Sequence, residues 1–202
     1  MKPFCPRRRH LLASGALTLL LPGCVGALFR RDEPPPPEKG PPDDVVARWR
    51  ALGKLAARTG DGNWSASLDW RQADEDFRLR LSGPFGQGAL QVEGSPGEVE
   101  LTTARGESRS ARTPEALLAQ ELDWDLPASS LRHWITARAR PGVPVEDWTL
   151  DEAGRLSSLA QQGWRLDYVY RGDPGGHSLP DRITMRGEGV VVRIAIRDWR
   201  IE

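Results

Sequence analysis

The stretch Arg78–Gly94, RLRLSGPFGQGALQVEG, decides how this chain is read. Leu79 and Leu81 alternate with Arg78 and Arg80, and Leu90 and Val92 flank Gln91. Such period-two alternation, apolar on one side only, marks half-buried antiparallel strands. Between the two strands lies SGPFGQG. Gly83-Pro84-Phe85-Gly86 fits a type I turn, with Pro second and Gly fourth. Phe85 shares the odd phase of Phe77, Leu79 and Leu81, so parity alone points it inward. The turn chemistry instead projects it from the tip. A phenylalanine ring is costly to leave in water, so this position asks for a function.

The same alternation continues outward in both directions. Trp64, Ala66, Leu68 and Trp70 share one face, as do Phe77, Leu79 and Leu81. Val99 pairs with Leu101, and Trp164, Leu166, Tyr168 and Tyr170 fall on one side. The last strand sets Val190, Val192, Ile194 and Ile196 against Val191, Arg193, Ala195 and Arg197. SPGE, EAGR, GDPGG and RGEG punctuate these runs at hairpin spacing. Two helices interrupt them. TPEALLAQEL offers Thr113 as N-cap and Pro114 at the first helical position. LPASSLRHWITAR places Leu131, Trp134 and Ile135 at helical spacing, with Ser129 or Ser130 as cap. DDVVARW is expected to open the fold as a short helix capped by Asp43 or Asp44. The eight tryptophans fill a core or line a ligand cavity; periodicity does not separate the two.

The first residues read differently. Lys2, Arg7, Arg8 and Arg9 precede an apolar run, Leu11–Leu21, that is too short to span a bilayer as a helix. The run ends in Leu21-Pro22-Gly23-Cys24, which is the layout of a signal peptide. Its last four residues resemble a bacterial lipobox, with Pro22 as a departure. Residues 1–23 are expected to be a signal peptide and Cys24 to carry lipid. Arg7–Leu12 also loosely fits a twin-arginine signal; the general secretory route is the expectation. Arg30–Asp44 holds six prolines in fifteen residues and reads as an extended tether. Residues 24–42 then form acylated cysteine and tether, and 43–202 the folded domain. Removing the leader takes four of the 28 basic residues and none of the 28 acidic ones, leaving a formal charge of −4. That balance recommends no nucleic-acid partner.

Little suggests catalysis. Beyond the leader the histidines are His133 and His177, far apart and without metal-ligand spacing. Neither a GxSxG elbow nor a Gly-rich phosphate loop before a helix is present. Asp74, Glu75 and Asp76 form a hairpin tip. The chain is read as a non-enzyme without metal or diffusible cofactor. Its one prosthetic feature is the covalent N-acyl and S-diacylglycerol lipid expected on Cys24.

Several pieces, in this order and spacing, resemble the LolB family of outer-membrane lipoprotein receptors. They are the lipobox, Trp49-x-x-x-Gly53-Lys54-Leu55-Ala56, SASLDWRQ (65–72) and RLRLSGPFGQGALQVEG (78–94). Trp124-Asp125-Leu126-Pro127 with Leu131, Arg132 and Trp134 follows, then Gln161 to Tyr168, LPDRI (179–183) and the terminal RDW. Asp123, and TARAR after Trp134, depart from the family's usual glycines. The resemblance implies a mainly β fold with a few helices: a half-open, incomplete antiparallel β-barrel covered by lid helices, with an apolar cavity between. It implies a monomer on the periplasmic face of the outer membrane, lipid-anchored. The residue after Cys24 is Val25 rather than an inner-membrane-retaining aspartate, which suits that location. It implies three partners: the periplasmic carrier LolA, triacylated lipoprotein cargo, and the outer-membrane phospholipid that receives it.

Within that frame, strand parity selects Trp64, Leu68, Trp70, Leu79, Leu81, Leu90, Val92, Leu101, Trp148, Trp164, Ile194 and Ile196 as acyl-chain cavity residues. Leu117 and Trp134 join from the helices. The family's protruding loop with its exposed apolar residue, needed to place cargo in the membrane, falls on Gly83, Pro84, Phe85 and Gly86. The competing reading is a lipid-anchored structural lipoprotein whose β core is filled. A lipoprotein hydrolase is a third, disfavoured by the absent nucleophile.

Overall fold

A computed structural model describes residues 46–83, 89–118, 126–172 and 174–202. The signal peptide, Cys24, the tether, Trp124, and Pro84, Phe85 and Gly86 of the turn lie outside these residues.

Among the described residues, eleven strands form one antiparallel sheet. Six come first: β1 (Arg48–Thr59), β2 (Gly62–Ala73), β3 (Asp76–Ser82), β4 (Leu90–Ser95), β5 (Glu98–Thr103) and β6 (Ser108–Ala111). Two short helices follow, α1 (Pro114–Leu118) and α2 (Ala128–Trp134). The second run is β7 (Val145–Leu150), β8 (Leu156–Gln161), β9 (Trp164–Val169), β10 (Arg182–Gly187) and β11 (Val190–Ile201). The order across the sheet is β6-β5-β4-β3-β2-β1-β11-β10-β9-β8-β7. Each run is thus a meander, and β1 joins them by pairing with β11. β6 and β7 are left as edges, so the sheet stays open, and the chain passes from one edge to the other through α1 and α2.

The alternation of β2 is real: Leu68, Trp70 and Gln72 are buried, while Asn63, Ser65, Ser67 and Arg71 are exposed. In β11, Val190, Val192, Ile194 and Ile196 are buried as their spacing requires. Gly97 and Gly189 sit in hairpin turns at φ +85° and +68°, a region that suits glycine. Thr113 caps α1, its Oγ1 accepting the Ala116 N–H at 3.2 Å.

Four expectations need correction. No helix opens the described fold: Arg48 and Trp49 already belong to β1, while Asp43 and Asp44 lie outside the described residues. Tertiary packing decides this, because Trp49 is 1% exposed and its ring sits 5.3 Å from Trp70 and 5.4 Å from Trp199. GDPGG is not a hairpin turn; Pro174–Gly176 is a single 3-10 turn within the longer β9–β10 connection. Neither Ser129 nor Ser130 caps α2. Both lie inside its first turn, preceded by Pro127, which makes no side-chain capping bond. β6, β7 and β8 also went unread as strands, because SRSA has no apolar alternation and LSSLAQ buries consecutive residues.

β1 carries the junction of the two meanders, and one residue permits it. A Cβ on Gly53 would stand 2.2 Å from the Ala195 carbonyl oxygen. The β1–β11 register shifts at this point, between Leu52 and Gly53. The Gly-Lys-Leu-Ala piece therefore marks a close backbone approach, as a glycine in a strand interior often does.

Candidate functional site

An apolar cavity of about 470 Å³ lies on the inner face of the sheet. Its floor comes from alternate residues of neighbouring strands. Leu55 of β1 is joined by Trp64, Leu68 and Trp70 of β2 and by Phe77, Leu79 and Leu81 of β3. Leu90, Val92, Val99 and Leu101 continue it over β4 and β5, and Met185, Val192 and Ile194 over β10 and β11. The register explains this convergence. Trp70 faces Leu79, Leu79 faces Val92, and Val92 faces Leu101, so one pleat of apolar side chains crosses four strands. The opposite wall is helical, with Leu118 of α1, Leu131 of α2 and Leu126 just before it.

Polar groups gather along the helical side. Both helices are tied together by Glu115, whose Oε1 accepts the Ser129 N–H at 2.6 Å and whose Oε2 accepts the Ser129 hydroxyl at 2.9 Å. Arg112, Arg132 and Arg140 border the cavity, with Glu75 across from them. Arg132 lies 3.8 Å from the Glu75 carboxylate, and Arg140 donates to the Ser130 hydroxyl at 3.3 Å. These arginines leave a mark on His133. Burial, then the charges of Arg132 and Arg140, push its pKa down to about 4. The imidazole is therefore neutral near pH 7, and its Nε2 accepts a hydrogen bond from Arg132 Nε at 3.2 Å.

Gln161 anchors the far end of α2. Its Oε1 accepts the Trp134 indole N–H and the Arg140 N–H, both at 2.9 Å. Its Nε2 donates to the Arg140 and Val143 carbonyls. Gln161 is fully buried, and this set of bonds holds the helix and the loop after it against β8.

The structure brings Trp64, Leu68, Trp70, Leu79, Leu81, Leu90, Val92, Leu101 and Ile194 to the cavity wall. Leu117, Trp134, Trp148, Trp164 and Ile196 do not reach it. Leu117 and Trp134 are completely buried in the core. The Trp164 ring lies over Gly187, where a Cβ would meet it at 2.8 Å. Ile196 is buried within the large core cluster, and Trp148 is partly buried against that cluster. Parity assigns a face, but not which part of an eleven-stranded face stays uncovered. Phe77, Val99 and Val192 were legible by the same parity and belong in the set. Leu55, Met185, Leu118, Leu126 and Leu131 were also missed. Only Leu131 had a signal, its spacing on α2. Gly83, at the edge of the turn, is half-buried.

Among the described residues no group of three or more His, Cys, Asp or Glu could hold a metal ion, and no helix is long and apolar enough to cross a membrane.

Comparison with known proteins gives a consistent result. A family model described as outer membrane lipoprotein LolB matches residues 47–199. An outer-membrane lipoprotein LolB of Alkalilimnicola ehrlichii is 37% identical over 198 residues, covering 96% of this chain and 98% of its own. One from Halorhodospira halophila is 36% identical over 192 residues, covering 94% of each chain. Among solved structures, a LolA-superfamily protein from Nitrosomonas europaea aligns at TM-score 0.51 with 11% identity, covering 78% of this chain and 87% of its own. That likeness speaks for the fold.

Proposed function

The chain belongs to the LolB family of outer-membrane lipoproteins, and from this we propose that it is the outer-membrane receptor that takes triacylated lipoproteins from the carrier LolA and inserts them into the inner leaflet. In this reading Cys24 carries the lipid anchor and residues 30–44 hold the domain within reach of the bilayer. The observation that carries the proposal is the cavity of about 470 Å³, apolar on its strand side and bordered by two short helices. A filled β core, the competing structural reading, would leave no such space.

The physics of the task suits this architecture. Three acyl chains hold on the order of 40 methylenes, each costing about 0.8 kcal/mol in water. Cargo cannot diffuse free, so it must pass from one apolar cavity to another. Direction requires only that the receptor bind more tightly than the carrier and the bilayer hold more favourably still. No covalent step is involved, and no residue of the cavity acts as acid, base or nucleophile. Leu68, Trp70, Leu79 and Val92 supply the apolar floor. Phe85, on the loop after Gly83, enters the bilayer and opens a path for the chains.

A photoactivatable residue at Leu79 tests the cavity assignment. It should crosslink to the acyl chains of cargo delivered by the carrier, while the same group at exposed Val169 should not. Absence of crosslinks at Leu79 alongside normal folding would favour the structural reading.

A further inference from the structure

We propose that Trp64 is a membrane-contact residue, its indole seated in the lipid interface where β2 outruns β3. The proposal rests on the receptor reading above and adds to it a second residue and its lipid partner.

Trp64 has the address of a core residue and the exposure of a surface one. It lies on the inner face with Leu68 and Trp70, paired across from buried Ala57 of β1. Leu68 and Trp70 are 3% and 6% exposed, yet Trp64 is 43% exposed. Trp64 lines the cavity and is yet this exposed, so it stands at the cavity's mouth. Trp70, Trp134 and Trp199 each donate their indole N–H to a protein acceptor, whereas Trp64 donates to none among the described residues. An apolar ring with a free N–H is the pattern of an interfacial tryptophan.

β3 pairs with β2 as Leu81 with Leu68 and Ser82 with Ser67, and ends there. β2 runs on to Gly62, so Trp64 stands three positions beyond the last β2 residue that β3 covers. The exposed unit is a single ring, not the roughly 800 Å² per partner that a stable protein interface buries. A lipid surface is the partner such a feature fits. Chains leaving the cavity would then pass over a residue that already touches the bilayer.

The test uses the full acylated chain in vesicles of phosphatidylethanolamine and phosphatidylglycerol. A bimane label on Trp64→Cys is read against labels on Leu150→Cys and Val169→Cys, the other exposed large apolar residues. Lipids bearing a nitroxide on the acyl chain should quench the label at position 64 at least about threefold more than at 150 or 169. Equal quenching overturns the proposal. Because the cysteine removes the ring, Trp64→Ser and Trp64→Phe are read separately. Trp64→Ser is read beside Leu68→Ser, a buried residue of the same cavity wall. Relative to each variant's affinity for an apolar dye, Trp64→Ser should slow cargo release into vesicles about fivefold more than Leu68→Ser. Trp64→Phe should restore most of the release. If release falls only in proportion to dye affinity in both variants, Trp64 is cavity wall only and the proposal fails. Wild-type chain that transfers cargo without quenching at 64 sinks this inference alone; wild-type chain that transfers no cargo sinks the receptor reading.

Discussion

Both carboxylate oxygens of Glu115 on α1 are occupied by Ser129 on α2, one by its backbone N–H at 2.6 Å and one by its hydroxyl at 2.9 Å. A residue of one helix thus serves as the missing cap of the next. The bond crosses the helical wall of the cavity, which presents Leu118, Leu126 and Leu131 together with the bordering Arg112, Arg132 and Arg140. Glu115→Ala should cost about 1–2 kcal/mol locally. Hydrogen exchange should show lost protection in 114–118 and 128–134 with the β2–β3 amides unchanged. Uniform loss across the sheet would mean that the contact supports the whole fold rather than the helix pair.

Gln161 should be among the least replaceable polar residues. Gln161→Leu preserves bulk but strips partners from the Trp134 indole, the Arg140 N–H and two carbonyls. Leaving such groups buried without partners costs about 1–3 kcal/mol each. A loss of about 3 kcal/mol or more in urea unfolding is expected, and a loss below about 1 kcal/mol would contradict the geometry.

Two glycines should respond differently to alanine. At Gly53 the new methyl meets the backbone of Ala195 at 2.2 Å, and backbone across a paired strand cannot step aside. Gly53→Ala should destabilise by about 3 kcal/mol or more. At Gly94 the obstacle is the Phe77 ring at 2.3 Å. Phe77 is only half-buried, so its ring can turn, and about 1 kcal/mol or less is expected. Thermal unfolding of the two variants side by side decides the point.

His133 adds a pH dependence with a definite sign. Its folded pKa of about 4 lies below the ordinary 6.5, so the unfolded chain takes up the proton first as pH falls. Its contribution is full above about pH 6.5 and is lost as pH drops toward 4. Asp69, held low by its hydrogen bond from Arg50, adds acid sensitivity only below its ordinary 3.8. His133→Asn should flatten the stability profile between pH 6.5 and 4 and leave the lower limb in place. An unchanged slope in that window would remove His133 as its source.

The strands were legible wherever apolar and polar residues alternate cleanly, as in Trp64–Gln72, Phe77–Leu81 and Val190–Ile196. Reading failed where packing overrode the local pattern. The local pattern around Trp49 predicts a helix, but its partners Trp70 and Trp199, distant in sequence, hold it in a strand. Ser129 and Ser130 are the local cap candidates of α2, but the cap comes from Glu115 of another helix. The cavity floor followed from parity where strands β2 to β5 run side by side. Its limits did not, since Trp164 and Ile196 share the phase of the lining residues and are covered by neighbours. Which part of an open sheet remains uncovered depends on where α1 and α2 settle, and no local spacing records that.

The most direct measurement loads LolA with a radiolabelled triacylated lipoprotein and adds vesicles carrying this chain in its acylated form. Sedimentation then reports whether the cargo stays with the carrier, binds this chain, or enters the lipid. The account predicts passage into the bilayer with the wild-type chain. With Phe85→Glu it predicts cargo held on a normally folded receptor and not released. Cargo that stays on the carrier in the presence of the wild-type chain would contradict the account, and unimpaired insertion by Phe85→Glu would remove the role given to the loop.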